Sequence, residues 1–313
     1  MDFLLWLEEI RTPVLDWFFS FVTMFGEETL FIVIGVVFYW CVSKKEGYYL
    51  LSIGLIGTIM NQFLKVVFRV ERPWVKNKNL TIVESAREQA TGYSFPSGHT
   101  QNSVGIFGGI ALWNKNRIIK VVSIVLCVLV PFSRLYLGVH TPLDVGVSVV
   151  LGLGLVFGLN IIFSRTRNLT ATMRMIFGFM VAISGFYLAF VHLYNFPSNA
   201  DVTNLLHGIE NAYKMLGCIL GLWLSFELDI KYINFKTKSN FGIQILKLVF
   251  GFVILLAIKS GLKTPLYFLI GNENIADAIR YFIIAIFAGI IWPITFKFWD
   301  KIPIFNKSFR KDK

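Results

Sequence analysis

Residues 145–164 read VGVSVVLGLGLVFGLNIIFS, without a single charge. A helix of that length covers about 30 Å, the thickness of a bilayer's hydrocarbon core. Working outward, comparable apolar runs lie at about 28–43, 47–68, 99–114, 118–137, 142–163, 175–195, 204–226, 241–261 and 278–296. The runs 28–43 and 99–114 are short and need flanking residues to cross. The whole 313-residue chain is 55% hydrophobic and only 16% charged, with 31 phenylalanines and a mean hydropathy of +0.64. A soluble domain has too little interior to hide that much apolar surface. Disorder, a coiled coil and a nucleic-acid-binding domain are excluded by the same composition. The expected fold class is all-α: a polytopic transmembrane helical bundle of about nine spans, or ten if the N-terminus also crosses.

The N-terminal residues 1–26 are rich in Phe and Trp but interrupted by Glu8, Glu9, Arg11, Pro13 and Asp16. A carboxylate such as Asp16 at mid-membrane is costly, so this segment predicts one or two interfacial helices. It has no basic leader and no clean apolar core, so it does not read as a secretory signal. Cys41, Cys127 and Cys218 sit far apart in apolar runs and read as buried small hydrophobes, with neither zinc spacing nor a disulfide framework. The net charge of +11 is unevenly placed. More than half of the 30 Lys and Arg fall on one side of the alternating spans: Lys44 and Lys45, Lys115 to Lys120, Arg165 to Arg174, Lys231 to Lys238, and Lys297 to Lys313. That side is expected to be cytoplasmic. The opposite side carries its positive charge in one place, between Lys65 and Arg87, which asks for a chemical reason. The expected organisation is an interfacial N-terminus over 1–26, a core over 27–165, and four additional helices with a basic cytoplasmic tail over 166–313.

Three polar segments end on the non-cytoplasmic side. Lys65 through Arg72-Pro73 closes the second span, Pro96-Ser97-Gly98-His99 opens the third, and Ser133-Arg134, His140 and Asp144 join the fourth to the fifth. Cations at membrane depth must be paired or must await an anion, and here they outnumber the carboxylates. A helix opening at Ser97-Gly98-His99 turns free N–H groups outward, as an anion site requires. Thr141 suits an N-cap and Pro142 the first helical position. Asp144 follows His140 by four residues and shares its face, where a carboxylate can hold one ring nitrogen and leave the other free to attack.

These segments resemble the three motifs of the type 2 phosphatidic acid phosphatase superfamily, which also includes haloperoxidases and glucose-6-phosphatase. The pattern is Lys-x6-Arg-Pro, Pro-Ser-Gly-His, and Ser-Arg-x5-His-x3-Asp, and every fixed residue is present. The resemblance covers about residues 28–163. It implies a phosphatase-type helical core and a metal-free reaction through a phosphohistidine, with no cofactor. It implies His140 as nucleophile, Asp144 as its orienting carboxylate and His99 as the acid that protonates the leaving oxygen. It assigns Lys65, Arg72, Arg134, Ser97 and the Gly98 N–H to the phosphoryl oxygens.

The expected substrate is a lipid phosphate or isoprenyl diphosphate, met at the non-cytoplasmic face of a cell membrane, with the bilayer and no nucleic acid as partner. The nine-span layout resembles that of glucose-6-phosphatase, and Phe25-Gly26-Glu27-Glu28 faintly resembles sphingosine-phosphate phosphatases. A hydrolase of a soluble phosphate, a lipid phosphotransferase and a non-catalytic lipid transporter are the alternatives. The Lys-, Asn-, Ile- and Phe-rich composition suggests a bacterial plasma membrane. Arg69 and Glu71 fill positions that the first motif leaves free, and Lys76, Lys78, Glu84, Arg87 and Glu88 are expected in a solvated loop, with a gate or headgroup contact as the alternative. Tyr93 and Phe95 either wall the pocket or sit as interfacial aromatics, and His192 and His207 read as interfacial.

Overall fold

The computed structural model describes residues 1–299; the basic tail expected beyond Lys297 lies outside them. The chain runs through α1 (Asp2–Glu9), α2 (Pro13–Thr23), α3 (Glu28–Val37), α4 (Lys44–Phe68), a short α5 (Pro73–Lys76), α6 (Gly98–Trp113), α7 (Arg117–Tyr136), α8 (Pro142–Arg165), α9 (Leu169–Leu193), α10 (Val202–Leu228), α11 (Phe241–Gly261), α12 (Lys263–Ile270) and α13 (Glu273–Ile286). Among the described residues every regular element is helical, so the all-α expectation holds.

The helix starts follow from side-chain caps. Asn116 accepts from two N–H groups at the head of α7, Asn168 from Ala171 at α9, and Asn272 from Ile275 at α13. Each satisfies donors that a helix end leaves orphaned.

All nine apolar stretches fall in helices, and among the described residues length and composition qualify fewer than nine of them as spans. Six are long and apolar enough, or seven if Pro13–Gly26 and Glu28–Val42, bent by 51° at their junction, form one broken span. The stretch 99–114 becomes α6, only 16 residues long and largely buried by its neighbours, so it needs no lipid-facing surface. The stretch 204–226 becomes the 27-residue α10, long enough but carrying Asn204, His207, Glu210, Asn211 and Lys214 in its first half.

The described residues form two compact units. The first comprises Met1–Gly35, Tyr49–Thr172 and Tyr187–Ile209. In it, α6 packs on α7 and α8, and α1 and α2 pack on α7. Two helices do form in the N-terminal segment. Phe19 stacks 4.4 Å from the Tyr136 ring, Asp16 accepts from the Tyr136 hydroxyl at 2.8 Å, and Arg11 donates to the Tyr136 carbonyl at 3.1 Å. Asp16 thus has a partner in place of water.

The second unit comprises Val36–Tyr48, Met173–Phe186 and the chain from Glu210 onward. Its centre is aromatic: the indoles of Trp40 and Trp292 donate to the carbonyls of Ala288 and Lys247 at 2.8 and 3.0 Å. Polar ends of buried indoles are satisfied in this way. Its buried carboxylates are paired, Asp229 2.6 Å from Lys44 and Asp277 2.6 Å from Arg280, while Arg280 Nε has no hydrogen-bond partner.

Candidate active site

The turn from α7 into α8 places His140. Gly138 holds φ at +77° with a Cβ position 2.7 Å from the Arg11 guanidinium, so only glycine fits without strain. Thr141 then caps α8 reciprocally: its hydroxyl accepts from the Asp144 N–H, and Asp144 Oδ2 accepts from the Thr141 N–H at 2.8 Å. This capping box fixes the carboxylate beneath the imidazole. Asp144 Oδ2 lies 3.5 Å from His140 Nδ1. Ser94 donates to the same oxygen at 2.7 Å and lies 3.5 Å from Nδ1 itself.

The other face of the ring meets a cation. Arg72 Nη1 lies 2.9 Å from His140 Nε2. A guanidinium only donates, so Nε2 is the acceptor and the ring proton sits on Nδ1, toward Asp144. Burial, reinforced by Arg72, Arg134 and Lys65, holds the His140 pKa well below the ordinary imidazole range. The side chain that presents its lone pair is therefore neutral. Arg72 is itself held by three carbonyls, those of Val139, Gly92 and Thr91, at 3.1, 3.1 and 2.7 Å. Its companion Lys65 donates to the Tyr93 carbonyl.

The remaining cation is incompletely matched. Arg134 is fully buried and donates from Nη1 to Thr23 at 2.6 Å, yet its Nε and Nη2 have no hydrogen-bond partner. The buried His99 Nε2 also lacks one. Unsatisfied buried polar groups are rare because each forfeits its hydration. All line a cavity of about 130 Å³, with Lys65, Arg72, Gly98 and His140. Ser97 stands apart from that wall. It is buried, and its hydroxyl accepts from the Thr100 N–H to cap α6. Asp144 lies behind His140 rather than on the wall, and Glu28 is the carboxylate that lines it. Among the described residues no three His, Cys, Asp or Glu side chains gather as metal ligands would.

Residues 45–168 match the family model described as the PAP2 superfamily, and residues 213–300 match the PAP2 superfamily phosphatase, transmembrane extension. The chain belongs to the PAP2 superfamily. Undecaprenyl-diphosphatase BcrC of Bacillus subtilis is 32% identical over 35% of this PAP2 chain and 53% of its own length. The dihydrosphingosine 1-phosphate phosphatase C823.11 of Schizosaccharomyces pombe is 23% identical over 82% of this chain and 64% of its own. A crystal structure of a transmembrane PAP2-type phosphatidylglycerolphosphate phosphatase from Bacillus subtilis superposes with a TM-score of 0.43 at 24% identity, covering 54% of this chain and 86% of that one. The chain thus spans between half and two thirds of the length of these two curated relatives.

Within the PAP2 domain, the motif residues account for only part of the cleft. Ser94 braces the Asp144 carboxylate and precedes the second motif by two positions, but a lone serine in a loop carries no sequence signal. Thr23, which orients Arg134, is 111 residues away from it in sequence. Gly26 is more telling. A Cβ there would stand 2.8 Å from both the Cβ and the carbonyl of His99. The break between α2 and α3 therefore rests directly on the histidine, and the short run Phe25–Glu28 includes its support. Neither Tyr93 nor Phe95 lines the cleft. The Tyr93 carbonyl holds Lys65, and Phe95 packs on Phe68 at 5.1 Å.

Proposed function

We propose that this protein is an integral membrane phosphatase that hydrolyses a lipid phosphate or isoprenyl diphosphate at the non-cytoplasmic face through a phosphohistidine, without a metal. The single observation that carries the reading is the set of buried, unpartnered polar groups, Arg134 Nε and Nη2 and His99 Nε2, facing the same cleft as His140. A phosphoryl group fits this set: three charged oxygens meet Arg134, Lys65, Arg72 and the N–H at Gly98, as electrostatic stabilisation of phosphoryl transfer requires. His140 Nε2 attacks phosphorus once the anion draws Arg72 from it. The bond from phosphorus to the lipid oxygen breaks, and His99 supplies the proton that this oxygen needs. Asp144, held by Thr141 and Ser94, offsets the positive charge that develops on the His140 ring. Water then cleaves the N–P bond, with His99 accepting its proton, and inorganic phosphate leaves.

The relatives named for lipid and isoprenyl phosphates favour a lipid substrate. One match, over 82% of the chain, is to a phosphatase named for dihydrosphingosine 1-phosphate, which favours a sphingoid phosphate among the candidates. The test is phosphate release by purified protein from sphingoid phosphate, phosphatidic acid, isoprenyl diphosphate and glucose 6-phosphate at equal detergent. Lipid phosphates should exceed the sugar phosphate in kcat/KM by at least about 10²-fold, equivalent to about 2.7 kcal/mol. Release should survive EDTA and be inhibited by vanadate; rescue of an EDTA-treated enzyme by magnesium would sink the metal-free reaction. For orientation, a cysteine at position 80 in a chain lacking Cys41, Cys127 and Cys218 should react with an impermeant reagent in intact cells, and protection would reverse the topology.

A further inference from the structure

A second cavity adjoins the phosphate cleft. It measures about 300 Å³ and lies between α2 and the turn at Glu84–Ala86, lined by Trp17, Ser20, Phe21, Thr23, Met24 and Gln89, among others. That volume falls at the lower end of ordinary ligand pockets, roughly 300–1,000 Å³. Two residues tie it to the cleft. Gln89 lines both cavities, and Thr23, on this wall, accepts the hydrogen bond of Arg134, on the other. The wall mixes polar and apolar side chains, with Ser20 and Ser85 hydrogen-bonded to each other at 2.7 Å. Near the junction stand Thr23 and Gln89. Going back along α2, Ser20 and then Trp17 follow, Trp17 some 9 Å from Thr23 at 1.5 Å rise per residue. Trp17, Phe21 and Met24 are 70%, 49% and 49% exposed, an apolar rim of the kind that soluble proteins avoid and that lipid covers.

We propose that this cavity holds the first part of the substrate's hydrocarbon chain while the phosphate occupies the cleft beside it, so that Trp17, Ser20, Phe21 and Met24 set the preference for a lipid over a soluble phosphate. The proposal rests on the phosphatase reading above and adds the site of the leaving group's apolar end. The phosphate has its cations, and the atoms bonded to its leaving oxygen must go somewhere. The cavity that shares Gln89 with the cleft, and whose Thr23 holds Arg134, gives them an exit past the exposed apolar side chains of Trp17, Phe21 and Met24, as a lipid requires. It also gives α2 a role that no catalytic motif assigns to it.

The experiment compares one headgroup with two chain lengths: phosphatidic acid with 18-carbon chains and with 4-carbon chains, using full-length protein in mixed micelles. Ser20→Trp, which fills the cavity, should lower kcat/KM for the long-chain substrate about tenfold and leave the short-chain substrate within about twofold. Phe21→Ala and Trp17→Ala, on the exposed face of α2, keep the test open if Ser20→Trp fails to fold; they should raise KM for the long chain with little change in kcat. A long-chain phosphatidic acid with a diazirine at mid-chain should photolabel the segment 17–24, and short-chain phosphatidic acid should not compete as well as long-chain. Equal losses on both chain lengths, or labelling that vanadate and excess substrate leave unchanged as for bulk lipid, would overturn the chain site. No phosphate release from either substrate by the unaltered protein would instead overturn the phosphatase reading, and this proposal with it.

Discussion

The two units of the molecule bury charge in different balance. In the first, Lys65, Arg72 and Arg134 share a cleft with two histidines, and the one carboxylate on its wall is Glu28; Arg134 keeps two N–H groups without a partner. In the second, Lys44 meets Asp229, Arg280 meets Asp277, and Lys214 meets Glu210 as well as lying 3.6 Å from Asp277. Lys247 lies 4.5 Å over the Phe296 ring. Desolvating an ion is costly, and a partner repays that cost only in part. Matched pairs therefore belong to the structure of a unit. An excess of buried cations has no such repayment until an anion arrives, so it reads as a binding site held ready. The difference teaches that the sign balance of buried groups, rather than their number, separates a site from a scaffold.

The sharpest way to break this comparison is at His140. His140→Ala should abolish phosphoenzyme and lower turnover by about 10³-fold or more on every substrate, because no other group can supply the attacking lone pair. His99→Ala should still trap phosphate from a nitrophenyl ester, whose leaving group needs no proton, and lose about 10²–10⁴-fold on an alkyl ester. If His99→Ala is equally inactive on both while His140→Ala still traps phosphate, the two roles are reversed.

Next in size is the cation that the first unit leaves unmatched. Arg134→Met should cost about 10²–10³-fold in kcat/KM while leaving thermal unfolding in detergent unchanged or slightly raised, since it removes two unsatisfied buried donors. Asp277→Asn in the second unit should do the reverse. It strands Arg280, while Lys214 keeps Glu210, and should cost about 3–5 kcal/mol of stability, with kcat/KM of the folded protein within about threefold. Vanadate should stabilise the unaltered protein by about 2.7 kcal/mol at a hundred times its Kd, and equally so for Asp277→Asn, but not for Arg134→Met. A vanadate shift that survives Arg134→Met would place the anion elsewhere.

A close-approach test follows. Gly26→Ala should press its methyl on His99 and lower kcat for alkyl substrates more than it raises KM, because the support of the acid moves rather than the phosphate contacts. The smallest effect is the pH profile. The attacking form of His140 is neutral, and burial with Arg72, Arg134 and Lys65 lowers its pKa, opposed by a backbone hydrogen bond at Ser94. Its neutral form therefore persists as pH falls. With the substrate's own titration divided out, the acid limb of kcat/KM should lie below the ordinary imidazole value of about 6.5. A limb at or above that value would contradict the electrostatics of the cleft.

Much of this was legible in the linear sequence. Chain composition and the charge-free run 145–164 determined a membrane-embedded all-helical chain, because apolar area and helix length are local properties that the bilayer fixes. The motif residues Lys65, Arg72, His99, Arg134, His140 and Asp144 were legible too, since their spacing on helix ends converges on one face. The number of crossings was not, because α6 is short and largely covered by its neighbours and α10 carries polar residues along its first half, and no run of residues records what packs against it. Nor were Ser94, Thr23 and Gly26. Each acts on a partner distant in sequence: a hydroxyl on Asp144, a hydroxyl on Arg134, and a missing side chain against His99. Only the tertiary structure decides such contacts, because a hydrogen bond or a close approach belongs to a pair of residues, and the sequence specifies the members of that pair without their distance.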